Sequence, residues 1–181
     1  GGPGSGLFVS RDAGDTWTVI SPDLSNSDPV QRLQQGSGGL TPDNSGAESH
    51  ASVTTLSESP ISQQIIWTGT DDGNVHVTRD GGANWTNVRG NVPGVPDGIW
   101  VSRVEASHFT TGEAYLAFDG HRSDNVTPWV FKTTDFGETW VNITSNLPAG
   151  HVVRVVREDL RNPDLLFAGT EFGLFVSIDD G

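Results

Sequence analysis

The feature that most constrains this chain is a short motif that recurs at unequal intervals. Ser10-Arg11-Asp12-Ala13-Gly14-Asp15-Thr16-Trp17 returns as Thr133-Thr134-Asp135-Phe136-Gly137-Glu138-Thr139-Trp140. A weaker copy, Thr78-Arg79-Asp80-Gly81-Gly82-Ala83-Asn84-Trp85, carries Asn84 where the others have Thr, and a fourth begins at Ser177 with Asp179. The aspartates stand 68, 55 and 44 residues apart (12 to 80, 80 to 135, 135 to 179). A fixed motif at varying distance means like units with insertions in the loops between them.

Strand-like runs flank each copy. Leu7-Phe8-Val9-Ser10 enters the first and Trp17-Thr18-Val19-Ile20 leaves it; Trp129-Val130-Phe131-Lys132 and Trp140-Val141-Asn142-Ile143 flank the third. The motif therefore reads as a hairpin turn. Its Asp accepts backbone N–H bonds two residues on, and its Gly supplies positive φ without a Cβ clash. The Trp drops a large apolar face between sheets. On this reading Ser10, Asp12, Gly14, Trp17, Asp80, Gly82, Trp85, Asp135, Gly137, Trp140 and Asp179 are structural, and Trp17, Trp85 and Trp140 are expected to be buried.

Two more strands precede each turn. Ile65-Ile66-Trp67-Thr68-Gly69-Thr70-Asp71-Asp72-Gly73 matches Leu165-Leu166-Phe167-Ala168-Gly169-Thr170-Glu171-Phe172-Gly173, with Ala114-Tyr115-Leu116-Ala117-Phe118-Asp119-Gly120 in the same place between them. Ahead of these lie Ser52–Leu56, Val101–Glu105 and Val152–Val156, which alternate or run apolar as strands do. With the strands of a unit lettered A to D, the chain reads C-D, A-B-C-D, A-B-C-D, A-B-C. The fold class is all-β: β-propeller blades of four antiparallel strands, two complete and two partial. The blades run over 7–25 (C–D), 52–90, 100–145 and 151–181 (A–C), with a long inter-blade loop at 26–50. Two complete blades and two partial ones do not close alone, so the chain reads as a fragment that needs the rest of a parent chain, or a homodimer, to close.

Composition narrows the partners. Asp and Glu number 23 against 10 Lys and Arg, a net charge of −13, and no basic cluster offers the counterion release that nucleic acid binding requires. Anionic membrane surfaces are disfavoured for the same reason, and no apolar run approaches the ~18 residues of a membrane span. There is no Cys, hence no disulfide framework and no thiolate metal site. His50, His76, His108, His121 and His151 never fall at metal-ligand spacing, so no metal or cofactor is expected. No Gly-x-Ser-x-Gly elbow or phosphate loop is present.

The Ser/Thr-x-Asp-x-Gly-x-Thr-Trp turns resemble the Asp-box, or BNR, repeats of sialidase-like propellers, sortilin-type receptors and xyloglucanase-type glycoside hydrolases. The run Ile20–Leu24, then Gly39–Glu48, then Trp67–Gly73 is similar to large bacterial BNR-repeat proteins labelled glycosyl hydrolase or sortilin-like. The resemblance covers essentially the whole chain, and it speaks for fold more than for chemistry. It implies an extracytoplasmic protein in which the Asp boxes line one rim and the B–C and D–A loops form the ligand face.

Carried onto this sequence, that face holds Asp71, Asp72, Asp119, His121, Arg122, Asp124 and Glu171, with the loop from Ser21 to His50, including Asp43 and Glu48, over part of it. The A–B turns, with Glu58 and Asp159, belong to the opposite rim. Asp71, Asp119 and Glu171 occupy equivalent places on successive blades and are the candidate catalytic carboxylates. A glycosidase needs two, ~5–5.5 Å apart for retention or ~6.5–9.5 Å for inversion. Acids in such turns also serve simply to cap them. The sialidase version asks for a Tyr nucleophile and three Arg; Tyr115 is the only Tyr and falls mid-strand, and Arg103, Arg154 and Arg157 lack an Arg-Ile-Pro segment. The leading expectation is a non-catalytic segment that binds a peptide or carbohydrate on the B–C face. The alternative is part of a glycoside hydrolase cleft, and the third is a scaffold.

Overall fold

The computed structural model of the chain describes residues 6–26 and 51–181. Among the described residues, thirteen short strands form four antiparallel sheets. The first sheet pairs β1 (Phe8–Val9) with β2 (Thr18–Val19). The second runs β3 (Val53–Glu58), β4 (Ile66–Thr70), β5 (Val75–Thr78), β6 (Thr86–Asn87). The third runs β7 (Trp100–Ala106), β8 (Ala114–Asp119), β9 (Trp129–Thr133), β10 (Val141–Asn142). The fourth holds β11 (Val153–Glu158), β12 (Leu166–Thr170) and β13 (Leu174–Ser177). Strand order within each sheet is chain order, the up-and-down meander of a propeller blade. The 26–50 loop of the sequence reading falls outside the described residues apart from Asn26.

The recurring turn has one hydrogen-bond plan in all three full copies. The Ser/Thr hydroxyl donates to Asp Oδ1 at 2.8 Å and accepts the Gly N–H: Ser10, Thr78 and Thr133 serve Gly14, Gly82 and Gly137 at 2.7, 3.0 and 2.9 Å. Asp12, Asp80 and Asp135 then accept the N–H of Thr16, Asn84 and Thr139 at 2.8–2.9 Å, and their second oxygens take those residues' side chains. The carboxylate thus spans four residues, where the sequence reading expected two, because the residue before the Gly and the Gly itself both take positive φ and coil the chain back under it. Asn84 fits because its amide donates to Asp80 as the Thr hydroxyls do. The fourth copy repeats the first half, Ser177 to Asp179 at 2.8 Å and Gly181 N to Ser177 Oγ at 2.8 Å. The A–B turns lie on the same rim: Gly81, Phe136 and Asp180 each donate a backbone bond of 2.9 Å to Gln64, Gly112 and Asp164.

Each turn after the first also clasps the sheet before it. A Cβ on Gly137 would stand 2.9 Å from Val88, one on Gly181 2.9 Å from Ile143, and one on Gly82 would collide with the Ile20 carbonyl. The tryptophans follow the same rule. Trp140 is 6% exposed and meets Trp67 of the preceding sheet edge-on at 6.0 Å between centroids. Trp85 donates Nε1–H to Ile20 O at 2.8 Å and is half-buried, because the first sheet has no inner strands among the described residues to cover it. Trp17 is 63% exposed, against expectation: no described residue packs on the back of the first sheet, and Gly14 likewise has open space beside it.

The two complete seams differ in chemistry. Between second and third sheets lies an apolar cluster with Ile65, Trp67, Val77, Phe131 and Trp140. At the seam of third and fourth, register places Glu113, Tyr115 and Lys132 where the former has Ile65, Trp67 and Val77. Tyr115 OH stands 2.9 Å from Asp180 and 3.0 Å from Glu113, and Lys132 bridges Glu113 and Asp180. Burial, then those carboxylates, push the Tyr115 phenol far above its ordinary pKa.

Candidate functional site

The B–C turns and the starts of the A strands share the end opposite the recurring turns. What shapes this end is a β-bulge repeated in every inner strand: the ladder slips between Val53 and Thr55 in β3, Val101 and Arg103 in β7, and Val153 and Val155 in β11. A bulge leaves one residue out of the ladder and re-aims its side chain. The three bulged residues are Thr54, Ser102 and Arg154.

The first two stitch the sheets together. Thr54 Oγ1 donates to Val101 O at 3.1 Å, and Ser102 Oγ to Val153 O at 2.7 Å, each reaching the equivalent carbonyl of the next inner strand. Arg154 does something else. Its Nη1 pairs with Asp119 Oδ2 at the end of β8, and its Nη2 donates to Glu171 Oε1 at 2.7 Å in the β12–β13 turn. One guanidinium therefore joins two sheets across the mouth of the inner strands.

Asp119 is itself buried and held from behind. Its Oδ1 accepts His121 N–H at 3.0 Å and faces His121 Nδ1 at 2.8 Å. His121–Ser123 is a short 3₁₀ turn closed by Asp124, in the left-handed region at φ 53° and exposed. Arg122 lies over the Trp100 ring, 3.9 Å from its centroid. Across Arg154, His151 packs edge-on against Phe172 at 5.1 Å, and Phe172 is exposed. The face thus offers a charged centre flanked by exposed Phe172 on one side and by Trp100 under Arg122 on the other.

Of the residues the sequence placed here, Asp119, His121 and Glu171 converge, and Arg122 and Asp124 sit on the same loop. Asp71 and Asp72 do not join them. Asp71 accepts Ser52 N–H at 2.7 Å within its own sheet. Asp72 is buried, accepting Thr70 Oγ1–H at 2.5 Å and Asn26 N–H at 2.7 Å, so it braces its turn and the incoming chain. Asp43 and Glu48 lie outside the described residues. Tyr115 is enclosed in the seam near the opposite rim, away from this face.

The sequence reading weighs Arg154 only as one of three arginines for a sialidase-type site and leaves it off the ligand face, although a signal is there. With the strands laid over one another as Val53-Thr54-Thr55, Val101-Ser102-Arg103 and Val153-Arg154-Val155, a long cation stands where two hydroxyls were. Inward from it, Arg103 and Arg157 both pair with the buried Glu105, Arg157 Nη1 at 2.9 Å. A groove of about 400 Å³ beside β13, lined by Val130, Ile143, Leu166 and Phe175, lies along the outer part of the last seam and not on this face.

No family model matches the chain, and no curated protein does. Solved structures do. An ancestral GH74 enzyme superposes with a TM-score of 0.68 at 15% identity, over 98% of this chain and 20% of that one. The GH74 xyloglucanase from Xanthomonas campestris gives 0.61 at 21% identity, over 98% and 26%. YCF48 bound to D1 peptide gives 0.51 at 21% identity, over 71% and 38%. At these identities the similarity is one of fold, and the chain is made of β-propeller blades. It spans about a fifth to two fifths of the length of these neighbours.

Proposed function

We propose that this chain is a non-catalytic, ligand-binding part of a BNR-type (Asp-box) repeat propeller, and that the face centred on Arg154 receives a peptide or a glycan. The departure of Arg154 from its two equivalents carries the reading. Thr54 and Ser102 spend their side chains on joining sheets; the third position holds a half-exposed guanidinium at the mouth instead. A guanidinium has five N–H donors; Asp119 and Glu171 engage Nη1 and Nη2, and His121 Nδ1 lies 3.2 Å from Nη1. The remaining donors suit a carbonyl, hydroxyl or carboxylate. Phe172 adds exposed flat apolar surface that sugar rings and peptide side chains both favour. A peptide-bound propeller among the structural neighbours is consistent with the peptide version, and the GH74 enzymes with the glycan version.

The test is a pair of arrays, one of oligosaccharides including xyloglucan fragments and one of short peptides, probed with the wild type and with Arg154→Ala. Ligands that bind the wild type and lose at least tenfold in affinity with Arg154→Ala are the expected result. Equal binding by the variant would remove the site.

A glycoside hydrolase reading has one observation in its favour, the convergence of Asp119 and Glu171. Against it, the general acid of such a pair must present a proton to the substrate, and both carboxylates here give an oxygen to the Arg154 guanidinium, which only donates. Incubation with xyloglucan is expected to release no reducing ends. Release that disappears in Asp119→Asn would transfer the site to hydrolysis.

A further inference from the structure

Five aspartates of this chain are followed by glycine: Asp72-Gly73, Asp80-Gly81, Asp97-Gly98, Asp119-Gly120 and Asp180-Gly181. Such pairs share a reaction. The glycine nitrogen attacks the aspartate Cγ, because no Cβ crowds the five-membered ring that forms. The attack needs a carboxyl free to turn toward the chain and a glycine N–H with no other partner.

Four of the pairs are locked. Asp72 is buried, its oxygens accept the Thr70 hydroxyl and Asn26 N–H, and Gly73 N–H donates to Thr70 O at 3.3 Å. Both Asp80 oxygens are taken by Thr78 and Asn84, and Gly81 N–H donates to Gln64 O at 2.9 Å. Asp119 is buried between Arg154 and His121. Asp180 holds Tyr115 and Lys132, and Gly181 N–H donates to Ser177 Oγ at 2.8 Å.

Asp97 differs on every count. Its side chain is fully exposed, and its one ion pair among the described residues, with Arg89 Nη2, is at 4.0 Å. That nitrogen already donates to Val95 O and Pro96 O at 2.8 Å. Among the described residues, none makes a hydrogen bond to the Asp97 carboxylate or to Gly98 N–H. Gly98 takes φ 74° with nothing within 4 Å of its Cβ position. The pair lies in the segment joining β6 to β7, between the two complete sheets, so its exposure does not come from the ends of the stack.

We propose that Asp97 is a site of spontaneous backbone modification, the conversion of aspartate to isoaspartate. The Gly98 nitrogen bonds to Asp97 Cγ as the protonated carboxyl loses its hydroxyl, which leaves as water with the amide hydrogen. Water then adds at one of the two ring carbonyls, and the C–N bond there breaks. Opening at the main-chain carbonyl leaves the chain running through the side-chain carbon, one methylene longer, with the free carboxylate on the Cα. Water is the only other reactant, and the mass is unchanged. The pair stands three residues before Trp100, whose ring carries Arg122, so the change falls at the Arg154 end of the molecule.

The test ages the folded chain at neutral pH in oxygen-18 water, with a parallel sample unfolded in urea. Both are digested, and isoaspartate and label are assigned to each Asp-Gly peptide by chromatography and mass spectrometry. In urea all five pairs are expected to react. In the folded chain Asp97 is expected to react, with the other four slower by at least roughly tenfold, since structure must open before they can. Asp97→Glu, whose ring would need a sixth member, should remove the signal, with circular dichroism as the check that it is folded. Asp97→Asn forms the same ring with ammonia as the leaving group and should convert faster. A folded chain in which Asp97 reacts no faster than the other four overturns the proposal. So does label in the 97–98 peptide that persists in Asp97→Glu.

Discussion

At the residue scale, the recurring Asp does its work as an ion. Asp12 accepts the Thr16 hydroxyl and N–H and the Ser10 hydroxyl, and these bonds hold its carboxyl at a pKa of about 2. Asp80 and Asp135 are lowered for the same reason, with Asn84 and Thr139 as the leading donors. A carboxyl whose folded pKa lies below its unfolded value of about 3.9 contributes stability above that value and loses it as pH falls toward the folded one. The turns should therefore weaken between about pH 4 and pH 2. An NMR titration of the Asp12 side chain should give a midpoint near 2; a midpoint near 3.9 would mean that the bonds are not formed in solution. The residue types of this turn were legible in the sequence. Its four-residue reach was not, because two successive positive φ values depend on how the backbone coils.

At the scale of the element, the same motif residue has opposite energetic weight in different sheets. Trp140 fills a seam, so Trp140→Ala should cost ~3–5 kcal/mol in urea denaturation. Trp17→Ala should change stability by no more than about 0.5 kcal/mol, since no described residue packs over it. Equal costs would refute the rule that each turn after the first clasps the sheet before it. The sequence shows three like tryptophans, and only the stacking order separates them. The ionic seam makes a further prediction. Burial works against the Lys132 ammonium, but its bonds to Asp180 and Glu113 outweigh that and raise its pKa. A raised lysine stabilises below its ordinary titration range and loses that contribution as pH climbs past it. Wild type should therefore lose thermal stability at alkaline pH more steeply than Lys132→Met; parallel curves would show that the bridge contributes nothing.

For the whole molecule, sequence and structure agree on the strands because period-two runs bounded by Gly and Asp leave little choice of element. The ends of the sheets were also legible, since strand alternation puts all B–C turns at one end and all recurring turns at the other. The composition of the site was only partly so. Asp71, Asp119 and Glu171 are equivalent in sequence, yet Asp71 is taken by Ser52 N–H while the other two meet at Arg154. That divergence comes from the residue at a shared bulge, Arg154 in place of Thr54 and Ser102, and it is visible in a sequence only when equivalent strands are laid over one another.

The central claim is that ligand binds at the Arg154 end and the recurring turns serve the fold. The direct measurement is an amide NMR map of ¹⁵N-labelled chain titrated with the strongest array ligand. The account predicts shifts gathered at Trp100, 119–125, 151–154 and 170–173, with the turns at 12–16, 80–84 and 135–139 unmoved. Shifts centred on those turns, with the Arg154 end silent, would contradict it.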